Sequence, residues 1–338
     1  MDLAWVWFAL VGVLLMGYAI LDGFDFGVGI LHVFLRDEQE RRLALNSIGP
    51  LWDGNEVWLV TFGGALFGAF PEAYATLFSG FYLPVMVILF ALIGRAISLE
   101  FRSKVDRRGW RRWWDASFFA SSATVTFVGG VLLGNVVQGV PIGADREFVG
   151  TLGDLVRPFP LLVGVLALAT AAMHGSIYLH LKTEGALQRR TVGWMWRSFV
   201  AFLAAWLAVS LSAVLGIPHA TAGLSRWPLA WILVVLHVLA IANIPRAIHR
   251  GRAGSAFASS CCTIAALTGL VAVALAPNLV HSSIDAAHSL EIHRAAASEG
   301  TLGRMLVIAV VGMPLVATYT VIVYWVFRGK VKLDEHSY

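Results

Sequence analysis

With 338 residues, 58% of them hydrophobic and only 14% charged, and a mean hydropathy of +0.74, the chain is too apolar for a water-soluble domain. Its apolar residues fall in continuous runs of about 20 and not in alternating ten-residue segments, which excludes an outer-membrane barrel and indicates an all-α, polytopic membrane protein. The formal charge of +4 and the pI of about 9.3 arise from basic loops between the runs, so they point to anionic lipid headgroups and not to nucleic acid, for which no motif is present.

Nine spans are expected along the chain: Leu3–Leu35, Leu51–Phe70, Tyr74–Ser98, Ala116–Val137, Phe159–Leu181, Phe199–Ile217, Pro228–Ile248, Ala256–Ala276 and Met305–Phe327. They form one transmembrane domain over residues 1–338, with no soluble domain attached. The first span lacks a basic n-region and is far longer than the h-region of a signal peptide, so it is expected to stay in the mature protein. Of the 25 Lys and Arg, 19 follow spans 1, 3, 5, 7 and 9 or cap their ends, five lie on the opposite side, and Arg95 is left inside span 3. By the positive-inside rule the N-terminus faces out and the C-terminus faces the cytoplasm.

Span 1 carries two acids, Asp22 and Asp25, in Gly17-Tyr-Ala-Ile-Leu-Asp-Gly-Phe-Asp-Phe-Gly-Val-Gly29. A carboxylate at the bilayer centre costs about 2.5–3.5 kcal/mol on insertion scales, so the pair needs a buried partner or a function. Gly23 and Gly27 frame a small-xxx-small face that lets another helix approach. Asp25 lies roughly 15 Å of helix from the inner end at Leu35. Span 2 opens on the same side with Trp52-Asp-Gly-Asn-Glu-Val-Trp58, and span 3 returns to it with Arg95 and then Glu100. Asp53 and Glu56 each suit a helix N-terminus, where the macrodipole favours acids. Together with Asp22, Asp25, Asn55 and Arg95, however, they converge on one leaflet, which indicates a proton or ion path more than a structural ion-pair network. Arg95 is the expected counter-charge, with Asp22 and Glu100 as further members of the buried charge set.

The loop Leu99–Asp115 combines six Lys and Arg with Trp110, Trp113 and Trp114 and reads as an interface anchor. His174 and His237 lie inside spans 5 and 7 with no matched partner at helical spacing, so they read as hydrogen-bonded interior residues and not as haem ligands. His281, His288 and His293, with Asp285, fall in an outer loop and read as surface residues. Cys261 and Cys262 are adjacent within span 8; neither a disulfide nor a zinc, iron–sulfur or covalent haem site suits that spacing.

The runs Leu21–Gly29 and Ile48–Trp58 resemble the signature segments of subunit II of the cytochrome bd-type quinol oxidases. Gly63–Pro71, Gly80–Pro84, Glu100–Lys104, Gly134–Pro141 and Lys182–Arg190 extend the resemblance over the whole chain, densely to about residue 190 and more loosely after it. Tyr82-Leu-Pro84 and Lys182–Arg190 are similar to the cyanide-insensitive branch in particular.

The resemblance implies a haem-free subunit of a respiratory terminal oxidase of the bacterial cytoplasmic (inner) membrane. That enzyme oxidises quinol and reduces dioxygen to water with protons from the cytoplasm. Two b-type haems and one d-type haem, with the quinol site, are expected in subunit I, a related helical bundle against which this chain packs; none is ligated here. Membrane lipids, quinone and a small third subunit are further partners the family brings into view. Asp53 matches the family's acidic position in Trp-Asp-Gly-Asn and is the first choice for proton transfer, with Asp25 second and Glu56 and Asn55 beside them. Trp58, with Trp52, would border an oxygen route or touch the partner. The Pro218–Trp227 connection is much shorter than in members with an outer insertion there, so contacts made by such an insertion do not carry over.

Two other readings compete. A proton-coupled secondary transporter would also use intramembrane acids, but such folds show paired, broken helices in two related halves, and here the acids crowd into the first three spans. A purely structural assembly subunit is the third reading.

Overall fold

The computed structural model describes residues 2–333 and is almost wholly helical. The expected single domain also takes in residues 1 and 334–338, which lie outside the described residues. Helix α1 (Leu3–Leu31) begins at Asp2, whose carboxylate accepts from the backbone N–H groups of Ala4 and Trp5 and so satisfies two of the orphan donors of the first turn. A short amphipathic helix, α2 (Glu38–Ile48), follows in what the sequence suggests is a loop. Asp37 caps it, and Ala44, Leu45 and Ile48 are its buried apolar face.

Span 2 is α3 (Trp52–Ala69). The expected continuous span Tyr74–Ser98 is instead two helices, α4 (Pro71–Gly80) and α5 (Tyr82–Phe101), broken at Phe81. Pro84 explains the break: it has no N–H to donate to the Gly80 carbonyl, and its ring crowds that carbonyl, so the ladder restarts one turn later. The remaining spans are α6 (Arg108–Gln138), α7 (Pro158–Lys182), α8 (Gly185–Gly216), α10 (Ala230–His249), α11 (Ala253–Leu275) and α13 (Glu299–Val326), with the short α9 (Pro218–Arg226) and α12 (Ile292–Ala295) between. Among the described residues eight helices, and not the nine expected, are long and apolar enough to cross a membrane. Helix α3 falls outside that set because Asp53, Asn55 and Glu56 occupy its opening turns.

Helix α1 is the hub and packs against α3, α6, α7 and α11. Its approach to α7 is backbone on backbone: a Cβ on Gly27 would collide with the Ala171 carbonyl oxygen, and one on Gly175 would sit 2.5 Å from the Gly27 carbonyl carbon. The small-residue face read from Gly23 and Gly27 is thus used, with Gly27 as the contact point.

The loops gather at two ends. At one, Asp2 and Trp5 reach His293 at 3.3 and 3.2 Å, Val140 N–H donates to His281 O, and Arg146 pairs with Glu72 at 3.2 Å. Segment 138–158 and a two-stranded antiparallel ribbon, β1 (Asn278–Val280) with β2 (Leu290–Glu291), close over a cluster of Trp7, Phe70, Val140, Ile142 and Leu290 there. At the other end Arg102 forks onto Glu38 at 2.9 Å, and the chain after α13 returns to α7, with Val331 N–H donating to Lys182 O.

Candidate functional site

Asp22 and Asp25 are three positions apart on α1, which packs against α3, and both are fully buried. Arg95 enters from α5, also fully buried, and forks onto Asp22: Nη2 donates to Oδ1 at 2.5 Å and Nη1 to Oδ2 at 2.9 Å. Such a bidentate, charge-assisted pair is the strongest arrangement these groups offer, and it offsets the desolvation that would otherwise make both charges prohibitive. Arg95 Nη1 also reaches Glu56 Oε1 at 3.2 Å, and Asp25 Oδ2 lies 3.8 Å from Nη2. The Phe26 ring lies beneath the guanidinium, 4.3 Å from its carbon, adding a cation–π contact. Three carboxyls therefore share one guanidinium.

The two aspartates are held differently. Both oxygens of Asp22 are committed to Arg95. Asp25 Oδ2 accepts from Asn55 Nδ2 at 2.7 Å, while Asp25 Oδ1 is buried with no protein partner. The Arg95 Nε and the Tyr18 hydroxyl, one turn before Asp22, are likewise buried without a hydrogen bond. Asn55 also donates to Leu21 O at 3.1 Å and accepts from the Tyr324 hydroxyl at 3.0 Å, so α13 reaches the site through one side chain. Tyr18 and Tyr324 are absent from the expected set because an apolar-looking span gives no signal for a lone tyrosine hydroxyl.

The structure brings Asp22, Asp25, Asn55, Glu56 and Arg95 together as the sequence suggests. It does not bring in Asp53, which is exposed on the outside of α3 and makes no hydrogen bond or ion pair among the described residues. Glu100, expected as a buried charge partner, is only partly buried; it sits five residues beyond Arg95, more than a helical turn away, and the carboxyl partners of Arg95 are Asp22, Asp25 and Glu56. Trp52 is buried in an apolar cluster with Phe24, Leu45, Ile48 and Leu99. Trp58 is partly buried, and its ring lies against Gly17, where any side chain would overlap it.

A second polar cluster, unforeseen from sequence, joins the C-terminal ends of α1 and α5 to the start of α6. His32 Nε2 and Arg102 Nε both meet Asp115 Oδ1 at 2.6 Å, and Arg41 reaches Asp115 Oδ2 at 3.2 Å. Partial burial pushes the Glu38 carboxyl up, but the Arg102 fork and the charge of Arg111 outweigh it and hold Glu38 below the usual carboxylate range.

His174 uses both ring nitrogens, on Ser260 Oγ at 2.7 Å and Ile20 O at 3.0 Å, and stacks on Phe257. His237 meets Thr263 O at 3.1 Å. Both are thus hydrogen-bonded interior residues, His174 through both ring nitrogens and His237 through Nδ1 alone. Among the described residues no group of three or more His, Cys, Asp and Glu is arranged to hold a metal ion. Cys261 and Cys262 are free.

Residues 3–327 match the family described as cytochrome bd terminal oxidase subunit II. The cytochrome bd ubiquinol oxidase subunit 2 of Bacillus subtilis is 36% identical over 332 residues, covering 98% of this chain and 97% of the relative. The cytochrome bd-I ubiquinol oxidase subunit 2 of Escherichia coli K12 is 34% identical, covering 98% and 96%. A chain of the bd oxidase structure from Geobacillus thermodenitrificans superposes with a TM-score of 0.81 at 18% identity, covering 97% of this chain and 99% of that one, which shows the same fold.

Proposed function

The chain belongs to the subunit II family of the cytochrome bd terminal oxidases, components of quinol oxidases, and from that premise we propose that its buried acids conduct protons to the oxygen-reducing centre of the assembled enzyme. The observation that carries this reading is the Asp25 carboxyl, with one oxygen fixed by Asn55 and the other free, in a site where three carboxyls share one guanidinium. A group that must take up and release a proton needs a defined position and an open oxygen, and Asp25 has both. Asp22, locked onto Arg95, holds α1 to α5 and is the structural member.

Haem, held by subunit I, supplies the electron transfer and the oxygen chemistry. This chain's residues supply position and protons: Arg95 fixes the charge balance, Asn55 orients Asp25, and Glu56, partly exposed beside Arg95, hands protons inward. With the N-terminus outside, the site opens to the cytoplasm of a bacterial inner-membrane enzyme. Asp53 serves as the proton entrance in this arrangement, at the seam with subunit I. Asp53, Val57, Val60, Gly64 and Phe67 form one exposed stripe on α3, spaced alternately four and three residues apart. That is the spacing of a helix-packing seam, with Gly64 allowing close approach. Covered by subunit I, the stripe would bring Asp53 into the protein interior, and Trp58 would border the oxygen route.

The test is oxygen consumption by the assembled oxidase carrying Asp25→Asn or Asp53→Asn. Turnover should fall about tenfold or more, the loss typical of a proton-transfer group, while the haem spectra persist. Normal turnover and proton uptake in both variants would leave these acids with a structural role only.

A further inference from the structure

Tyr324 stands on α13, the least buried of the eight long apolar helices: Leu302 is its only fully buried residue, and Val307, Ile308, Val310, Val311 and Leu315 are exposed. Yet the Tyr324 hydroxyl reaches into the acidic site and donates to Asn55 Oδ1 at 3.0 Å. The direction of that bond follows from the chemistry of the amide. Asn55 Nδ2 faces two acceptors, Leu21 O at 3.1 Å and Asp25 Oδ2 at 2.7 Å. A flipped amide would set Oδ1 against both, so Oδ1 must point to α13, where only a donor can satisfy it. Tyr324 is that donor, and with it both N–H groups of the amide and its oxygen have partners.

We infer that Tyr324 is a positioning residue for proton transfer, acting through Asn55 to hold Asp25 with Oδ2 anchored and Oδ1 open. The inference rests on the proposed role of Asp25. Without the phenol, Asn55 Oδ1 is a buried acceptor with nothing to accept, and the amide is held only from its nitrogen side, so its tilt against Asp25 is no longer fixed. The anchor on Asp25 Oδ2 is then looser, and the carboxyl offers a less defined acceptor to the incoming proton. The Phe24 and Tyr178 rings, stacked 4.1 Å apart with Tyr324 edge-on to Phe24 at 6.4 Å, keep the phenol in place independently of its hydroxyl. Removing the oxygen alone should therefore leave the packing intact.

The experiment is Tyr324→Phe in the assembled oxidase, beside Asp25→Asn as reference. The expected result is an unchanged haem spectrum and unchanged quinol KM, a kcat lowered about fivefold, as befits one lost hydrogen bond, and a larger solvent isotope effect on kcat in D2O. The double variant Tyr324→Phe with Asn55→Leu should be no slower than Asn55→Leu alone, because the phenol acts only through the amide. If Asp25→Asn is slow while Tyr324→Phe keeps the native kcat and isotope effect, the inference falls and the role of Asp25 stands. If Asp25→Asn is as fast as the native enzyme, the proton-path reading falls and takes the inference with it. Should Tyr324→Phe fail to assemble, 3-fluorotyrosine at 324 retains the contact and makes the phenol a stronger donor. A shift of the Asp25 carboxyl C=O infrared band would then support the inference, and an unmoved band would overturn it.

Discussion

Arg95 decides the character of the site because it is the sole cation among three carboxyls and is itself fully buried. Removing one partner of a buried pair leaves an uncompensated charge, so Arg95→Leu should destabilise the chain by about 3–5 kcal/mol, read as lost accumulation of assembled oxidase in membranes. Asp22→Leu combined with Arg95→Leu should accumulate better than Arg95→Leu alone, because the most tightly bound carboxylate leaves with its partner. Equal accumulation would show that Asp22 is not the principal counter-charge. This pairing was half legible beforehand. Charge complementarity named Arg95, but four acids were candidates for it in sequence, and only the placement of α5 in the bundle, from which Arg95 reaches across to α1, selects Asp22 for the fork. Asp53 shows the opposite limit: a motif marks the residue, yet its outward direction on α3 depends on the helix's rotation, which a mixed apolar and acidic turn leaves open.

At the scale of elements, α1 and α7 meet so closely at Gly27 and Gly175 that no side chain fits between them. Gly27→Val should therefore block assembly, whereas Gly12→Val, where a Cβ meets nothing within 4 Å, should assemble normally; haem content per unit of membrane protein reports both. The outer ribbon carries its own pH dependence. Burial pushes the His281 imidazole down from 6.5 to about 4, aided by the stacked His219 and the nearby Arg226. Because the unfolded imidazole binds its proton first, stability is full above the usual histidine range, declines as pH falls from 6.5 toward about 4, and levels off below. His281→Asn should flatten that part of the melting curve against pH for the solubilised oxidase. Glu38, held low by Arg102, acts at more acidic pH: its contribution is present above the ordinary glutamate range and disappears as pH falls through its lowered value. The division of span 3 at Phe81 also belongs here. Hydropathy runs straight through Gly80–Pro84, and only the missing proline donor divides it.

For the whole molecule, the exposed stripe of α3 makes a prediction about assembly. Gly64→Trp should leave insertion of the chain unaffected and prevent co-purification of haem with a tagged copy, since a bulky ring on a close-packed seam holds the partner away. Haem recovered at the native level would place the seam on another face. By itself the sequence determined the solvent, the all-helical class and the order of the long apolar helices, because in lipid every backbone polar group must be satisfied within its own helix and each span declares itself by length and apolarity. It did not determine their number, since nine spans are expected and eight helices among the described residues have the length and apolarity of one. It also determined the family, through motifs dense enough to survive at about one third identity. Only the tertiary structure decided which acid Arg95 clasps, which oxygen of Asp25 stays open and that a tyrosine from the last helix steadies Asn55. Those contacts join residues up to 269 positions apart, and their register depends on how helices rotate and slide against one another, which follows from side-chain packing across the bundle and from no local signal in the chain.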